Sequence, residues 1–445
     1  MYIYKKILYF LMILFILNFF FRIFLFLALL SVFENDIEDV KSNQILIVFS
    51  FDGFKYDFLN LKNTPYLWSI LKYGTTGNMI STFATKTLPN HHSIATGCYQ
   101  ETHGVVHNHM FDPNGKEEYH ASVKNDTPFW FNDNPRVLPI YIANQLANPY
   151  AASVLSPWIA GQVHYGRLQH RAKYMRPFKH SASPYDLFAW SLQLLKKPHS
   201  PRYQRVNLCM IYIPEPDATG HLHGPESSKT LAKVAEIDNF FKHVLQQLEN
   251  TGLLPQTNIL LVSDHGLSPI DPSRATILTD LLPDTGKYRA DGGNPLYHIR
   301  PVEGSHEEIL RILRQHSKNG HFNVYDRNEI PERYRYRNHR RIGDIMVVAH
   351  NEWSLFKDKA DAKANINGRG EHGYDNLLPD MRPLFFAIGP AFKQNYNHTQ
   401  SFENIDLYPL MLHLLGIPPY GRFFHEGQFD RIKQILRDDF YQTVK

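Results

Sequence analysis

Short, continuous apolar runs punctuate the chain: residues 45–51 (ILIVFSF), 208–213 (LCMIYI), 258–262 (NILLV), 345–349 (IMVVA) and 384–388 (LFFAI). They are rich in β-branched and aromatic residues and do not alternate with polar ones. That pattern predicts strands buried on both faces, as in a parallel sheet. Between the runs, Val234, Ile237, Phe241, Val244, Leu245 and Leu248 recur at helical spacing just ahead of the run at 258. The alternation predicts an α/β fold: a central, mostly parallel sheet with helices on both faces. The stretch 269–341 has a weaker pattern and is expected to form a small lid or subdomain.

The N-terminal end has a different pattern. Lys5 and Lys6 precede an apolar run, 7–21, broken only by Asn18; Arg22 follows, and 23–30 is apolar again. The run is long enough to span a bilayer, and no small-x-small site closes it. The positive flank on its N-terminal side favours a cytoplasmic N-terminus and an outside body. We therefore expect residues 1–33 to be a membrane anchor, with a cleaved signal peptide as the second reading. A linker over 34–44, a catalytic body over 45–430 and a polar tail over 431–445 complete the expected organisation. Sequons at Asn125 and Asn397 suit a cell-surface or secretory-pathway compartment, with the body extracellular or lumenal.

Composition narrows this picture modestly. The 445 residues are 43% hydrophobic with a net charge of +4, so nothing in the balance suggests a stable nucleic-acid partner. Two cysteines, Cys98 and Cys209, exclude a disulfide scaffold; a single bridge stays open, although Cys209 reads as a small buried hydrophobe. Arg333, Arg335, Arg337, Arg340 and Arg341, with Tyr334 and Tyr336 between them, are expected to be a solvated approach to the strand at 345.

Chemistry-bearing residues fall where strands are predicted to end. Asp52 closes the first run, Asp217 and His221 follow the second, and Asp264 and His265 follow the third; His372 precedes the last. In open parallel sheets, ligands bind at the carboxyl ends of strands. Each of these residues alone reads as a cap, a turn or a hydrogen-bonded side chain. Together they form a mixed oxygen and nitrogen donor set suited to zinc. Within 85–93 (TKTLPNHHS), Pro89 suits the first turn of a helix, so Thr87 would lie near a helix N-terminus that favours a phosphate. A hydroxyl beside a metal ion is activated as a nucleophile.

Over about 45–424 the chain resembles the ectonucleotide pyrophosphatase/phosphodiesterase family of the alkaline-phosphatase-like superfamily. The likeness is carried by 85–113, the turn at Asp217, 263–266 (SDHG), 337–342, 370–376 (GEHGYDN) and 404–418 (NIDLYPLMLHLLGIP). The resemblance implies two zinc ions per chain. Asp52, Thr87, Asp264 and His265 would hold one, and Asp217, His221 and His372 the other. It implies that Thr87 becomes phosphorylated and that Asn108 binds a non-bridging phosphate oxygen. It also implies a small-molecule nucleotide or phosphodiester substrate, met by Leu88, Tyr141 and Trp158. Leu88 departs from the aromatic residue common after the nucleophile, and the segment around Trp158 departs as well. Nucleotides, dinucleoside polyphosphates and phosphocholine-type or lipid diesters therefore all stay open as substrates. A sulfatase is excluded because the segment at Thr87 lacks its Cys/Ser-x-Pro-x-Arg pattern. A phosphomonoesterase and a catalytically silent surface protein are the remaining alternatives.

Overall fold

A computed structural model describes residues 44–120, 127–166, 169–197, 204–283 and 286–441. The expected anchor and most of the linker (1–43), together with Asn125, lie outside these residues. The chain divides after Gln44, and Ile45 to Lys445 form one compact unit. Among the described residues no helix is long and apolar enough to cross a membrane.

The principal strands are β1 (Ile45–Phe51), β2 (Gly74–Ile80), β3 (His109–Asp112), β4 (Glu117–His120), β5 (Ala151–Leu155), β6 (Tyr174–Met175), β7 (Arg205–Ile213) and β8 (Thr257–Val262). They continue with β9 (Tyr288–Gly293), β10 (Leu296–Pro301), β11 (Phe322–Asp326), β12 (Ile345–Ala349), β13 (Phe385–Ile388) and β14 (Tyr396–Glu403). The principal helices are α1 (Thr87–Thr96), α2 (Ile140–Ala147), α3 (Pro184–Leu195), α4 (Asp217–His223), α5 (Ser228–Asn250), α6 (His306–Ser317) and α7 (Leu407–Leu414).

The main sheet runs β14-β2-β13-β8-β1-β7-β5-β6. All its pairings are parallel except those of β13, which runs against both β2 and β8. The run at 384–388 is thus a strand of this sheet, as expected, but an antiparallel one. β1 is apolar but for Ser50 because both its faces are covered. Leu46 and Val48 point into a core shared with α1, α2 and α7, while Ile47, Phe49 and Phe51 point into the one under α3 and α5. On α5 the helical stripe buries Val234, Ile237, Phe240, Phe241, Val244 and Leu248. Ser227 caps that helix by accepting from the Thr230 N–H at 3.2 Å. Truncating Phe241 to Ala in this core is expected to cost about 3–5 kcal/mol.

The weakly patterned stretch holds a second, antiparallel sheet in the order β9-β10-β12-β11. The run at 345–349 belongs to it, which corrects the expected parallel strand. Ile345 and Val347 face a separate core beneath α6, whereas Met346 and Val348 face the main core. Being buried on both faces, it carries the same unbroken apolar signature as a parallel strand. Ile432, Ile435 and Leu436, in the expected tail, lie inside the main core, and the Arg437 N–H donates to the Ala391 carbonyl at 2.9 Å, so the packed body continues past residue 430. Cys98 and Cys209 are both free and buried.

Candidate functional site

β8, β1 and β7 are neighbours, so the residues just beyond their ends meet at one edge of the sheet. Asp52 follows β1, Asp264 and His265 follow β8, and Asp217 opens α4 after β7. The Asp217 N–H donates to the Asp52 carbonyl at 3.0 Å, which draws two of the carboxylates together. Gly53 makes that approach possible. Its φ is +65°, and a Cβ there would lie 2.8 Å from the Asp217 Cβ.

Two donor groups result. In the inner one, His265 Nε2 lies 3.4 Å from Asp52 Oδ1 and 3.0 Å from Asp264 Oδ2. The Thr87 hydroxyl stands 3.3 Å from the same nitrogen. In the outer one, Asp217 Oδ2 is 3.3 Å from His221 Nε2, and Asp217 Oδ1 is 3.9 Å from His372 Nε2. His265, His221 and His372 each set Nδ1 against a backbone carbonyl, of Gly266, Gly370 and Thr85 respectively. A carbonyl can only accept, so Nδ1 carries the proton and Nε2 is turned toward the carboxylates.

This donor chemistry fits bound cations. Asp52 Oδ1, Asp217 Oδ1 and Asp264 Oδ2 are buried without a hydrogen-bond donor. Burial, and then the charges of Asp264 and Asp217, raise the Asp52 carboxyl well above its usual range. Burial also raises the Asp264 carboxyl, but His265 and His91 outweigh it and hold the group well below that range. Burial and His265 push the His372 imidazole down. Burial lowers His221 as well, yet the Asp217 carboxylate more than offsets it, and its pKa rises to about 9. A cation at His221 must therefore displace a proton from Nε2. Ligating atoms of Asp52, Asp264 and His265 all lie within 4.8 Å of one another, as do those of Asp217, His265 and His372.

Thr87 begins α1, and Lys86 precedes that helix in extended conformation. Pro89 sits in the first turn, where a missing N–H costs nothing because those donors have no intrahelical partner. Gly97 ends the helix in the left-handed region, at φ +68°. Asn108 is held beside the start of α1: its Oδ1 accepts from the Leu88 N–H at 2.9 Å.

A family model described as type I phosphodiesterase / nucleotide pyrophosphatase matches residues 46–375. The chain belongs to this family. As a nucleotide pyrophosphatase/phosphodiesterase it is a hydrolase of phosphodiester or pyrophosphate bonds, and its family is metal-dependent. Human bis(5'-adenosyl)-triphosphatase ENPP4 is 32% identical over 94% of this chain and 87% of its own length. Human ectonucleotide pyrophosphatase/phosphodiesterase family member 5 is 32% identical over 90% of the chain and 80% of its length. Among solved structures, human ectonucleotide pyrophosphatase/phosphodiesterase 5 aligns with a TM-score of 0.79 at 31% identity, covering 89% of this chain and all of that one. The murine protein, as an inactive Thr-to-Ala variant in complex with AMP, aligns with a TM-score of 0.78 at 30% identity over 88% of this chain and all of its own.

In this phosphodiesterase a cavity of about 630 Å³ opens beside the outer donor group. His221, His372 and Asn108 line it, together with Lys86, Glu371 and His109. The expected pocket residues fare differently. Tyr141 is wholly buried in the main core, its ring edge-on to Tyr165 at 6.0 Å, and does not line the cavity. Trp158 is 5% exposed and stands edge-on to His91, and Leu88 is 7% exposed; neither lines the cavity. Asn397 is exposed on edge strand β14, where its Oδ1 accepts from the Thr76 hydroxyl at 3.1 Å.

Several residues of the site carried no sequence signal that would single them out. His91 sets Nδ1 2.9 Å from the Thr87 carbonyl and 3.3 Å from Asp264 Oδ2, with Nε2 on the Ser50 hydroxyl. The Tyr212 hydroxyl donates to Asp52 Oδ2 at 2.6 Å, so Asp52 Oδ1 is left for the site. Glu371 pairs with Lys86 at 3.1 Å beside the outer histidines. His91 is one turn along the helix from Thr87, which was the only available clue to it.

Proposed function

We propose that this chain cleaves phosphodiester or pyrophosphate bonds of extracellular nucleotides with two zinc ions, through a phosphoryl-threonine intermediate at Thr87. The observation that carries this reading is the Thr87 hydroxyl within 3.3 Å of His265, inside the buried group that also holds Asp52 and Asp264. Asp52, Thr87, Asp264 and His265 would hold one ion, and Asp217, His221 and His372 the other. Bound zinc supplies Lewis acidity, which makes the Thr87 hydroxyl a stronger nucleophile and offsets charge on the phosphoryl oxygens. Thr87 attacks phosphorus from the start of α1, where backbone N–H groups favour the anion. Asn108, with Oδ1 engaged by Leu88, has its amide N–H groups for a non-bridging oxygen. Lys86 and His109, on the cavity wall, face the departing group. As the Thr87 Oγ–phosphorus bond forms, the bond from phosphorus to the leaving alcohol or phosphate breaks; water then cleaves the Thr87 ester and releases the still-substituted phosphate, a nucleoside monophosphate when the substrate is a nucleotide.

Nucleotide substrates are supported by the relatives, one named a bis(5'-adenosyl)-triphosphatase and one solved with AMP. Leu88 offers no ring for a base, which favours a second reading: a phosphocholine-type or lipid diester. The relatives' description as ectonucleotidases supports a body outside the cytosol, where Asn397 would be glycosylated.

The test is hydrolysis by the purified full-length chain of a chromogenic thymidine monophosphate diester, diadenosine triphosphate, a phosphocholine ester and a phosphate monoester. Acid quenching should trap the substituted phosphoryl group on Thr87, thymidylyl from the chromogenic diester, and Thr87→Ala should lose turnover and the trapped group together. Preference for the phosphocholine ester would move the reading to the second substrate class. Zinc-loaded, folded protein that cleaves none of the four would instead be a silent surface protein.

A further inference from the structure

Within the arginine-rich segment 333–341, Arg333 and Arg335 are exposed, as expected, but the segment is also tied to the protein by ion pairs and its last residue is buried. Arg333 pairs with Asp375, Arg335 with Glu426 and Arg337 with Glu332. Arg341 is 0% exposed. Its Nε donates to Asp112 at 2.7 Å. One terminal nitrogen donates to the carbonyls of Gly104 and Trp130, at 2.7 and 2.9 Å. The other donates to the Phe129 carbonyl at 2.7 Å and to Asp133 at 3.2 Å. Every guanidinium N–H therefore has an acceptor, the condition under which so buried a cation is tolerated.

Two of those acceptors, on Gly104 and Asp112, flank Asn108. The Tyr336 hydroxyl adds a bond to the Val106 carbonyl at 2.7 Å. Arg340 adds further bonds to Asp112, at 3.1 and 2.7 Å. The backbone N–H groups of Arg337 and Asn338 hold Glu101, each at 2.9 Å. Gly104 is fitted to this clamp: its φ is +79°, and a Cβ there would come within 2.8 Å of His339.

We propose that Arg341, assisted by Tyr336, is a positioning residue that sets the reach of the Asn108 amide toward the phosphoryl group. The proposal rests on the reading of Asn108 as a phosphate-oxygen donor. A donor to charge that develops in the transition state acts mainly on kcat, and a small displacement of it is enough to lose its effect. A lysine at 341 keeps the charge but cannot reproduce the fork that ties Gly104 to Asp112.

The experiment is a double-mutant cycle on the full chain, with a thymidine monophosphate diester as substrate and folding checked by circular dichroism and melting. Asn108→Ala is expected to lower kcat about 10²–10³-fold. Arg341→Lys should lower kcat on the order of 10-fold with KM nearly unchanged, in line with supporting-shell effects. In the Asn108→Ala background, Arg341→Lys should then change kcat less than about twofold, because the two act as one unit. Tyr336→Phe should repeat the pattern with a smaller loss, and it carries the cycle if Arg341→Lys does not fold. Additive losses, or a lower melting temperature with kcat unchanged, would overturn the proposal and leave the site reading standing. An Asn108→Ala variant with full activity would overturn the site reading, and the proposal with it.

Discussion

The two donor groups differ in how the fold encloses them. In the inner group the side chains of Asp52, Asp264 and His265 are 3%, 0% and 0% exposed. In the outer group Asp217, His221 and His372 are 12%, 34% and 3% exposed. The inner group hangs on the ends of two adjacent central strands and is braced by Tyr212, His91 and the Gly53 N–H. The outer group draws on the short helix α4 and the loop at His372, and it borders the cavity. The difference separates tasks. The sealed group holds the Thr87 hydroxyl at 3.3 Å and the open one borders the cavity, so in the proposed reaction the first fixes the nucleophile and the second meets substrate.

The sharpest way to break this contrast is to remove one member of each group. Asp264→Asn should abolish diester turnover, by roughly 10⁴-fold or more, as expected when part of an interdependent catalytic unit is lost. It should also lower bound metal in the inner group. His221→Ala should lose one equivalent of metal and keep the other. Elemental analysis beside kcat checks both, and loss of both metal equivalents in His221→Ala would mean that the groups are not distinct.

Chelation gives the next effect. Metal release should be biphasic, with the faster phase missing in His221→Ala; a single phase in both proteins would erase the contrast. Bracing should matter less than ligation. Tyr212→Phe removes the donor to Asp52 and should cost about 10-fold in kcat or in metal affinity, as measured by competition with a chromophoric chelator.

The proton at His221 sharpens the comparison through pH. Its folded pKa, about 9, lies above the ordinary value of 6.5. In the metal-free protein its contribution to stability is therefore fully present below about pH 6.5 and lost as pH rises through about 9. Metal-free melting temperature should fall across that window, and the fall should be absent in His221→Ala. Zinc uptake at pH 7 should release a proton, seen as a calorimetric heat that varies with the ionisation enthalpy of the buffer. The smallest expected effect is at Leu88. Leu88→Phe tests for a missing stacking contact, which is worth about 1–3 kcal/mol per base where one forms, through KM for the nucleotide diester. Because Leu88 is nearly buried, a change of less than twofold is expected.

Much of the site was legible in the chain because the fold is built from strands that are apolar along their length. Asp52 follows β1 directly, and Asp264 and Asp217 come shortly after β8 and β7, so the end of each apolar run pointed to a candidate ligand. Thr87 was legible because Pro89 and the following residues announce a helix start. The run at 345–349 misled, since two cores cover β12 just as two helical layers cover β1. Tyr141 and Arg341 misled for a related reason. The identity of a side chain does not say which way its element faces, nor where a distant acceptor will be found.

By itself, then, the sequence determined the α/β class and the candidate donors that meet at one edge of the sheet, because these depend on local periodicity and on residue chemistry at element ends. Only the tertiary structure decided that β13 runs against its neighbours, that Tyr212 and His91 brace the carboxylates, and that Arg341 closes on Gly104 and Asp112 around Asn108. Each of those rests on contacts between residues far apart in the chain. Their formation depends on the packing of whole layers, and no local pattern encodes it.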